Sequence, residues 1–164
     1  MKKLFFITGL LLLFSCQEKT NQSNMKAGVN PFFQEWNTPY EIPPFLQIKD
    51  EHYMPAFEKG MEDNLKEIDE IVANSEAPTF TNTIEELERS GKLLSKVQRT
   101  FFNLVGSNTN PQLQELQREL SPILSAHYDK IGLNKDLFVR IEKLWKEIEE
   151  LELTNEQHKL LEDT

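Results

Sequence analysis

Apolar residues recur at intervals of three and four from Asp50 onward, a period that is typical of amphipathic helices and incompatible with strands. The first predicted helix runs from Asp50, its predicted N-cap, to Ala73, with Pro55 in its early part. Its apolar stripe consists of Phe57, Met61, Leu65, Ile68 and Val72. The break at Asn74 to Thr79 ends this helix.

A second helix is predicted to begin at an N-cap formed by Asn82 or Thr83, because each has a glutamate three residues later in capping-box spacing. We expect it to continue to about Val105. Gly91 lies within it, at a position where a partner helix can approach closely.

Three further helices follow. Pro111 suits the first position of a third helix, which Gly132 ends and which Pro122 is predicted to kink or split. Asn134 is the predicted N-cap of a fourth helix, whose apolar stripe extends to Leu151.

A capping box formed by Thr154 and Gln157 begins a fifth helix, and no Gly, Pro or basic last turn ends it before residue 164. The predicted fold class is therefore all-α. We expect an antiparallel array of about five helices over residues 50–164, the last of them truncated.

Residues 31–49, here called the arm, hold Pro31, Pro39, Pro43 and Pro44, which exclude a long helix. The arm also carries seven large apolar residues: Phe32, Phe33, Trp36, Tyr40, Ile42, Phe45 and Leu46. The favoured prediction is an extended arm that packs its aromatic side chains on the helices, and the alternative is a proline-rich ligand for another domain.

The N-terminus has the pattern of a bacterial lipoprotein signal. Lys2 and Lys3 precede the apolar run Leu4 to Phe14, which is too short to span a bilayer. Leu13-Phe14-Ser15-Cys16 resembles a lipobox, so residues 1–15 are predicted to be removed and Cys16 to carry lipid.

Residues 16–30 are then a flexible tether, and the protein is expected at the cell envelope, on the periplasmic or outer-membrane face. An ordinary signal peptide and a buried helix with an incidental cysteine are the alternatives.

Composition excludes several functions. With 27 acidic and 18 basic residues the net charge is -9, which argues against a nucleic-acid partner. One cysteine allows neither a disulfide framework nor a cysteine zinc site, and no phosphate-binding glycine motif is present.

The candidate chemical groups form no recognised catalytic pattern. His52, His127 and His158 are far apart in sequence, and no H-E-x-x-H string occurs. We interpret His52 as a capping or surface residue, His127 as a half-buried helix residue, and His158 with Glu162 as a surface ion pair. The carboxylates interpreted as solvated helix faces are Glu67, Asp69, Glu70, Glu85, Glu86, Glu88, Glu147, Glu149 and Glu150.

Several short stretches occur in an order that is typical of one protein family. Ala77 to Ser95, APTFTNTIEELERSGKLLS, resembles that family's "PTF-x-NTI…LE-x-SG-x-LL" segment almost position by position. The other stretches are Asn30-Pro31-Phe32, Pro43-Pro44-Phe45, Ile48 to Phe57, Phe101 to Leu104, Thr109-Asn110, Glu119 to His127, Asn134 to Phe138 and Leu160 to Glu162. Residues 30–164 thus resemble the N-terminal part of the thimet-oligopeptidase family of zinc metallopeptidases, in its peptidyl-dipeptidase and oligopeptidase A branch.

The resemblance implies a helical part of an enzyme that encloses a deep channel and cleaves oligopeptides, releasing C-terminal dipeptides or cutting internally. In the family, Zn²⁺ is held by an H-E-x-x-H helix and a downstream Glu in the later half of the chain. The resemblance therefore carries no catalytic and no metal residue onto these 164 positions, and we expect this chain alone to be inactive. The alternatives are an autonomous helical lipoprotein that acts as a binding or assembly module, and a structural remnant.

Overall fold

The computed structural model describes residues 28–164, and these residues form helices and connections with no β-strand. The predicted signal peptide, the lipidation site Cys16 and most of the tether lie outside the described residues. The all-α prediction is confirmed. Among the described helices, none has both the length and the apolar composition needed to cross a membrane.

Six helices follow the arm. Helix α1 spans Tyr53–Ala73, and α2 consists of a π-helical part, Phe80–Glu85, and an α-helical turn, Glu86–Arg89. Helices α3 to α6 span Lys92–Ser107, Pro111–Gly132, Lys135–Lys146 and Asn155–Asp163. Short 3₁₀ turns occur at Pro31–Phe33, Pro39–Glu41, Asp50–His52 and Ile148–Glu150.

The predicted second helix is divided in the structure. Gly91 has a left-handed backbone (φ 67°), so α2 ends at Arg89 and α3 begins at Lys92. The predicted N-cap was also wrong, because Thr79 caps α2. The Thr79 hydroxyl accepts from the Asn82 backbone N–H at 3.1 Å, and the Asn82 side-chain oxygen accepts from the Thr79 N–H at 2.8 Å.

Other helix ends agree with the sequence only in part. Asn110, Asn134 and Thr154 cap α4, α5 and α6 as predicted. Asp50 is no helix cap, because its carboxylate accepts from the Asn110 side-chain amide at 3.0 Å. Helix α4 continues through Pro122 without being split, and α5 ends at Lys146, five residues before the predicted limit at Leu151.

Helix α3 runs antiparallel to α1 and α4. Gly60 of α1 lies against Leu94, and Asn64, four residues later in α1, lies beside Gly91. Moving forward along α1 thus means moving backward from Leu94 to Gly91, so α1 and α3 are antiparallel. Asp50 bonds to Asn110 and Asn64 to His127, so α4 runs parallel to α1. The predicted antiparallel packing therefore holds for the pairs α1–α3 and α3–α4.

Aromatic rings fill the main core, which lies between α1, α3 and α4. Phe32 of the arm contacts Tyr53, Tyr53 contacts Phe101, and Phe101 contacts Phe57, with ring centroids 5.0–5.4 Å apart. These four side chains are at most 1% exposed. Two smaller clusters join α5 to its neighbours: Phe80, Ile84, Leu144 and Leu161 in one, and Ile68, Ile71 and Leu137 in the other.

The arm packs at its two ends and not in between: Phe32 and Trp36 in its first part and Ile48 near its end contact the main core. Phe32 is fully buried and Trp36 lies against the same core, as predicted. Further along, the prediction was wrong, because Tyr40 and Leu46 project fully into solvent and Ile42 is half-exposed. Turns at Pro39–Glu41 and around Pro43–Pro44 interrupt this part of the arm.

The contact of Gly60 with α3 generates a stability prediction. A Cβ at residue 60 would lie 2.9 Å from the Leu94 backbone, and a backbone cannot move aside as a flexible side chain does. We expect Gly60→Ala to lower the free energy of unfolding by about 1–3 kcal/mol, as overpacking does. Urea denaturation measures this change.

The matched control is Gly106→Ala near the end of α3, where a Cβ would meet no atom within 4 Å. This control should be neutral or stabilise by up to about 1 kcal/mol, because alanine is the better helix former. Equal effects of the two substitutions would contradict the close approach of α1 and α3.

Candidate functional site: the groove between the arm and helix α3

A groove of about 1010 Å³ lies between the arm and α3. The arm lines this arm groove with Trp36, Pro43 and Phe45, and α3 lines it with polar and basic side chains. The charged residues around it are Lys92, Lys96, Arg99, Glu35, Glu41 and Glu88. The arm groove therefore offers aromatic surface and both signs of charge.

Lys96 holds the arm in place on the wall of this groove. Its Nζ donates to the backbone oxygens of Phe32 at 3.2 Å and Gln34 at 2.7 Å, and it lies 4.1 Å from the centre of the Trp36 ring. Burial lowers the pKa of Lys96, and the carboxylate of Glu35 works against this shift. These contacts hold the backbone of residues 32–36 against α3 and so position Trp36, which lines the arm groove.

The arm groove has polar donors and acceptors but no residue set for bond cleavage. Ser90 and Ser95 line it, yet none of the described histidines does. A serine hydroxyl is a weak nucleophile until a neighbouring base accepts its proton. The arm groove therefore offers aromatic surface and hydrogen-bonding groups, and its serines have no histidine beside them.

A partly buried hydrogen-bond chain connects α4, α1 and the turn between α2 and α3. The side-chain N–H₂ of Asn64 donates to the Ser90 hydroxyl at 3.1 Å, and that hydroxyl donates to the Leu87 carbonyl at 2.7 Å. Asn64 thus presents its oxygen to His127, 2.9 Å from Nε2. Beside this chain the Glu67 carboxylate accepts from the Gly91 N–H at 2.7 Å, at the positive end of α3.

His127 is more buried than predicted. Only 4% of it is exposed, and its Nδ1 is buried without a hydrogen-bond partner in the described part of the chain. Since Nε2 must donate to Asn64, the neutral ring leaves Nδ1 unprotonated, and a second proton there would have no acceptor. Burial, and secondarily the charge of Lys130, lowers the pKa of His127.

Arg140 is a second buried polar centre, and sequence reasoning missed it. Its guanidinium donates to the backbone oxygens of Asn74 at 2.9 Å and Glu76 at 3.3 Å, and to the side chains of Asn82 at 3.1 Å and Thr83 at 3.3 Å. The cation therefore joins α5 to the connection between α1 and α2. Its position among the apolar residues of α5 is the signal that could have identified it, since a buried arginine requires partners.

The other candidates lie apart from one another. His52 accepts from the Lys49 N–H at 3.0 Å and caps the turn before α1, which confirms the predicted capping role. His158 and Glu162 lie on the surface of α6, 3.6 Å apart, which confirms the predicted ion-pair geometry. Glu85 and Glu86 pair with Arg89, whereas Glu67 is the one predicted surface carboxylate with a role as a helix cap.

Within residues 28–164 no three His, Cys, Asp or Glu side chains lie close enough together to hold a metal ion. The three histidines are on different elements: the turn before α1, α4 and α6. The described residues therefore do not fit the zinc site that the sequence resemblance implies for the intact enzyme.

Comparison with known proteins identifies relatives. The chain is 40% identical over 134 residues to the dipeptidyl carboxypeptidase of Escherichia coli (strain K12) and 41% identical over 133 residues to that of Salmonella typhimurium (strain LT2). These alignments cover 82% and 81% of the chain. Oligopeptidase A of Escherichia coli is 28% identical over 101 residues, or 62% of the chain. No family model matches the chain.

The chain is homologous to the N-terminal part of the thimet oligopeptidase family. It spans about a fifth of the length of these dipeptidyl carboxypeptidases, since the alignments cover 20% of each. The family resemblance read from the sequence is confirmed.

The structure explains the segment that carries most of the family resemblance. Ala77 to Ser95 supplies the Thr79 cap, the buried residues of α2 and the Ser90-Gly91 turn. A Cβ on Gly91 would lie 3.1 Å from the Asn64 side chain, and the left-handed backbone there adds strain. The residues of the family motif thus form the contacts by which α2 and α3 are held against α1.

The role of Lys96 can be tested through the fluorescence of Trp36. In a Trp145→Phe background Trp36 is the single tryptophan, and Lys96→Met should shift its emission to longer wavelength. The reason is that loss of charge-assisted bonds, worth about 1.5–3 kcal/mol each, releases the arm into water. Lys92→Met, at another lysine of the arm groove, is the control and should leave the emission unchanged. Unchanged emission in both variants would contradict the role of Lys96.

The buried His127 predicts a pH dependence of stability. Because its pKa is lowered on folding, the unfolded chain binds the proton first, so this contribution to stability is complete above the ordinary pKa of 6.5 and is lost as pH falls below that value. Urea denaturation between about pH 7.5 and pH 5.5 should show this loss, and His127→Gln should reduce it. His158→Gln, at an exposed position, should retain it. An identical pH dependence in all three proteins would show that His127 titrates normally.

Proposed function

We propose that these residues are the N-terminal helical part of a zinc-dependent metallopeptidase that cleaves oligopeptides and releases dipeptides from their C-termini. The 40% identity to a protein named dipeptidyl carboxypeptidase is the observation that carries the proposal. The role of this part is to help enclose the substrate. The described side chains supply binding surface and buried structural contacts, with no set that could activate water.

An exposed apolar surface on α5 supports the proposal that further protein packs on this part. Leu133 precedes α5, and Phe138, Val139 and Trp145 lie on it; these four residues, here called the α5 face, are 49–79% exposed. Phe138 and Trp145 are seven residues apart, on the same side of the helix. Such a surface is unusual for a free monomer and typical of a protein–protein contact.

We further propose that the protein is a lipoprotein of the cell envelope, on the periplasmic or outer-membrane face. The apolar run Leu4 to Phe14, followed directly by Ser15 and Cys16, supports lipidation at Cys16. Its partners would then be the membrane, through the lipid, and oligopeptide substrates. The net charge of -9 argues against nucleic acid as a partner.

A binding or assembly module without peptidase activity is the second candidate. The observation in its favour is the main core, in which Phe32, Tyr53, Phe57 and Phe101 are buried without help from any further chain. The downstream coding sequence distinguishes the two candidates, because an open frame with an H-E-x-x-H string would support the peptidase.

The purified chain should show no zinc-dependent turnover of a fluorogenic oligopeptide. The reason is that its described residues do not form a zinc site. The assay compares added zinc with added chelator, and intact dipeptidyl carboxypeptidase from Escherichia coli is the positive control. Turnover that zinc restores and chelator abolishes would contradict the proposed division of roles.

A further inference from the structure

The second part of the arm presents apolar side chains to solvent on a protruding turn. Residues 38–47 form this arm tip, in which Tyr40 is 96% exposed, Leu46 is 103% exposed and Ile42 is 51% exposed. A relative exposure near 100% means that no residue in the range 28–164 covers the side chain. The arm tip thus presents large apolar residues that the packing of residues 28–164 leaves uncovered.

The conformation of the arm tip is restrained. Pro39, Pro43 and Pro44 restrict its backbone, and the Thr38 hydroxyl donates to the Ile42 carbonyl at 2.6 Å. Tyr40 and Glu41 both have positive φ, 57° and 54°, which is uncommon for residues other than glycine. A strained turn that displays apolar side chains indicates a binding role for them.

The arm tip is also nearly free of charge. Glu41 is the single charged residue among residues 38–47, and it lines the arm groove together with Lys92 and Arg99. The tip therefore presents tyrosine and aliphatic side chains together with a single carboxylate, that of Glu41, which lies at the arm groove. A segment with so few charges has a low desolvation cost on entry into an apolar medium.

We propose that the arm tip inserts into the interfacial region of the lipid bilayer beside the lipid on Cys16. This inference rests on the proposed lipidation. Eleven residues separate Cys16 from Gly28, and such a chain spans at most roughly 40 Å. The anchor therefore keeps the arm, the first described part of the protein, close to the bilayer, where even a weak second contact is strongly favoured by effective concentration.

The chemistry of the tip fits a bilayer. Tyrosine is enriched at membrane–water interfaces, and binding strength there grows with the apolar area that is buried. Removal of residues 1–15, with Lys2 and Lys3, takes the net charge from -9 to -11, and the tip has no basic residue, so attraction to anionic headgroups plays no part. The contact should accordingly form on uncharged phosphatidylcholine and persist at high salt.

Quenching of a fluorescent label tests the inference on the lipidated protein. Cys16 is the single natural cysteine, so its lipidation leaves Leu46→Cys as a unique site for a bimane label. Ile123→Cys on α4 is the matched control, since residue 123 is also an exposed apolar position and lies outside the arm tip and the α5 face. Both labelled proteins are incorporated into phosphatidylcholine vesicles with and without brominated lipid, and aqueous iodide is added separately.

Brominated lipid should quench the label at residue 46 several-fold more than the label at residue 123, and iodide should show the opposite order. Equal quenching at the two positions would overturn the inference. A label at residue 46 that is protected from iodide but not quenched by brominated lipid would mean that protein covers the tip, which also overturns it.

Mass spectrometry of Cys16 separates this result from the proposed function. An acylated Cys16 with no lipid quenching at residue 46 refutes the tip contact and leaves the proposed anchor intact. An unmodified Cys16 refutes the anchor, and with it the inference that depends on it.

Discussion

The close approach of α1 and α3 determines how the other elements are placed. Gly60 allows the two backbones into contact, and Asn64 and Glu67, one and two turns later, reach the Ser90-Gly91 turn. Because that turn begins α3 and ends α2, the same contact sets the position of both helices. The arm then rests on α3 through Lys96, and α4 joins α1 through the bond of His127 to Asn64.

The sequence predicted the helices better than the breaks and contacts between them. Periodicity identified the helical segments and the caps Asn110, Asn134 and Thr154, because caps and stripes are local properties. The division at Gly91 was missed, since an apolar stripe continues across it and the break depends on Asn64, a residue distant in sequence. Gly60 was missed for the same reason. The role of a glycine within a helix in close helix–helix packing can be recognised only when the position of the opposing backbone is known.

The arm groove and the buried polar residues were less predictable still. Lys96 and Arg140 act through backbone carbonyls of segments more than 60 residues away, and no local pattern records such partners. The same holds for the failed prediction that every aromatic residue of the arm would pack. Phe32 meets Tyr53 in the core, whereas the turns that follow direct Tyr40 outward. Order and spacing of short motifs identified the family, although no single side chain suggested its chemistry.

The contacts of Arg140 impose an unusual kind of constraint on evolution. Two of its hydrogen bonds end on main-chain oxygens of Asn74 and Glu76, which every amino acid possesses. The side chains of Asn74 and Glu76 can therefore vary without loss of these two bonds, whereas the loop length cannot, because an insertion would displace both acceptors. Homologous proteins should accordingly vary at these two positions and yet carry no insertions or deletions in the connection wherever the arginine is retained.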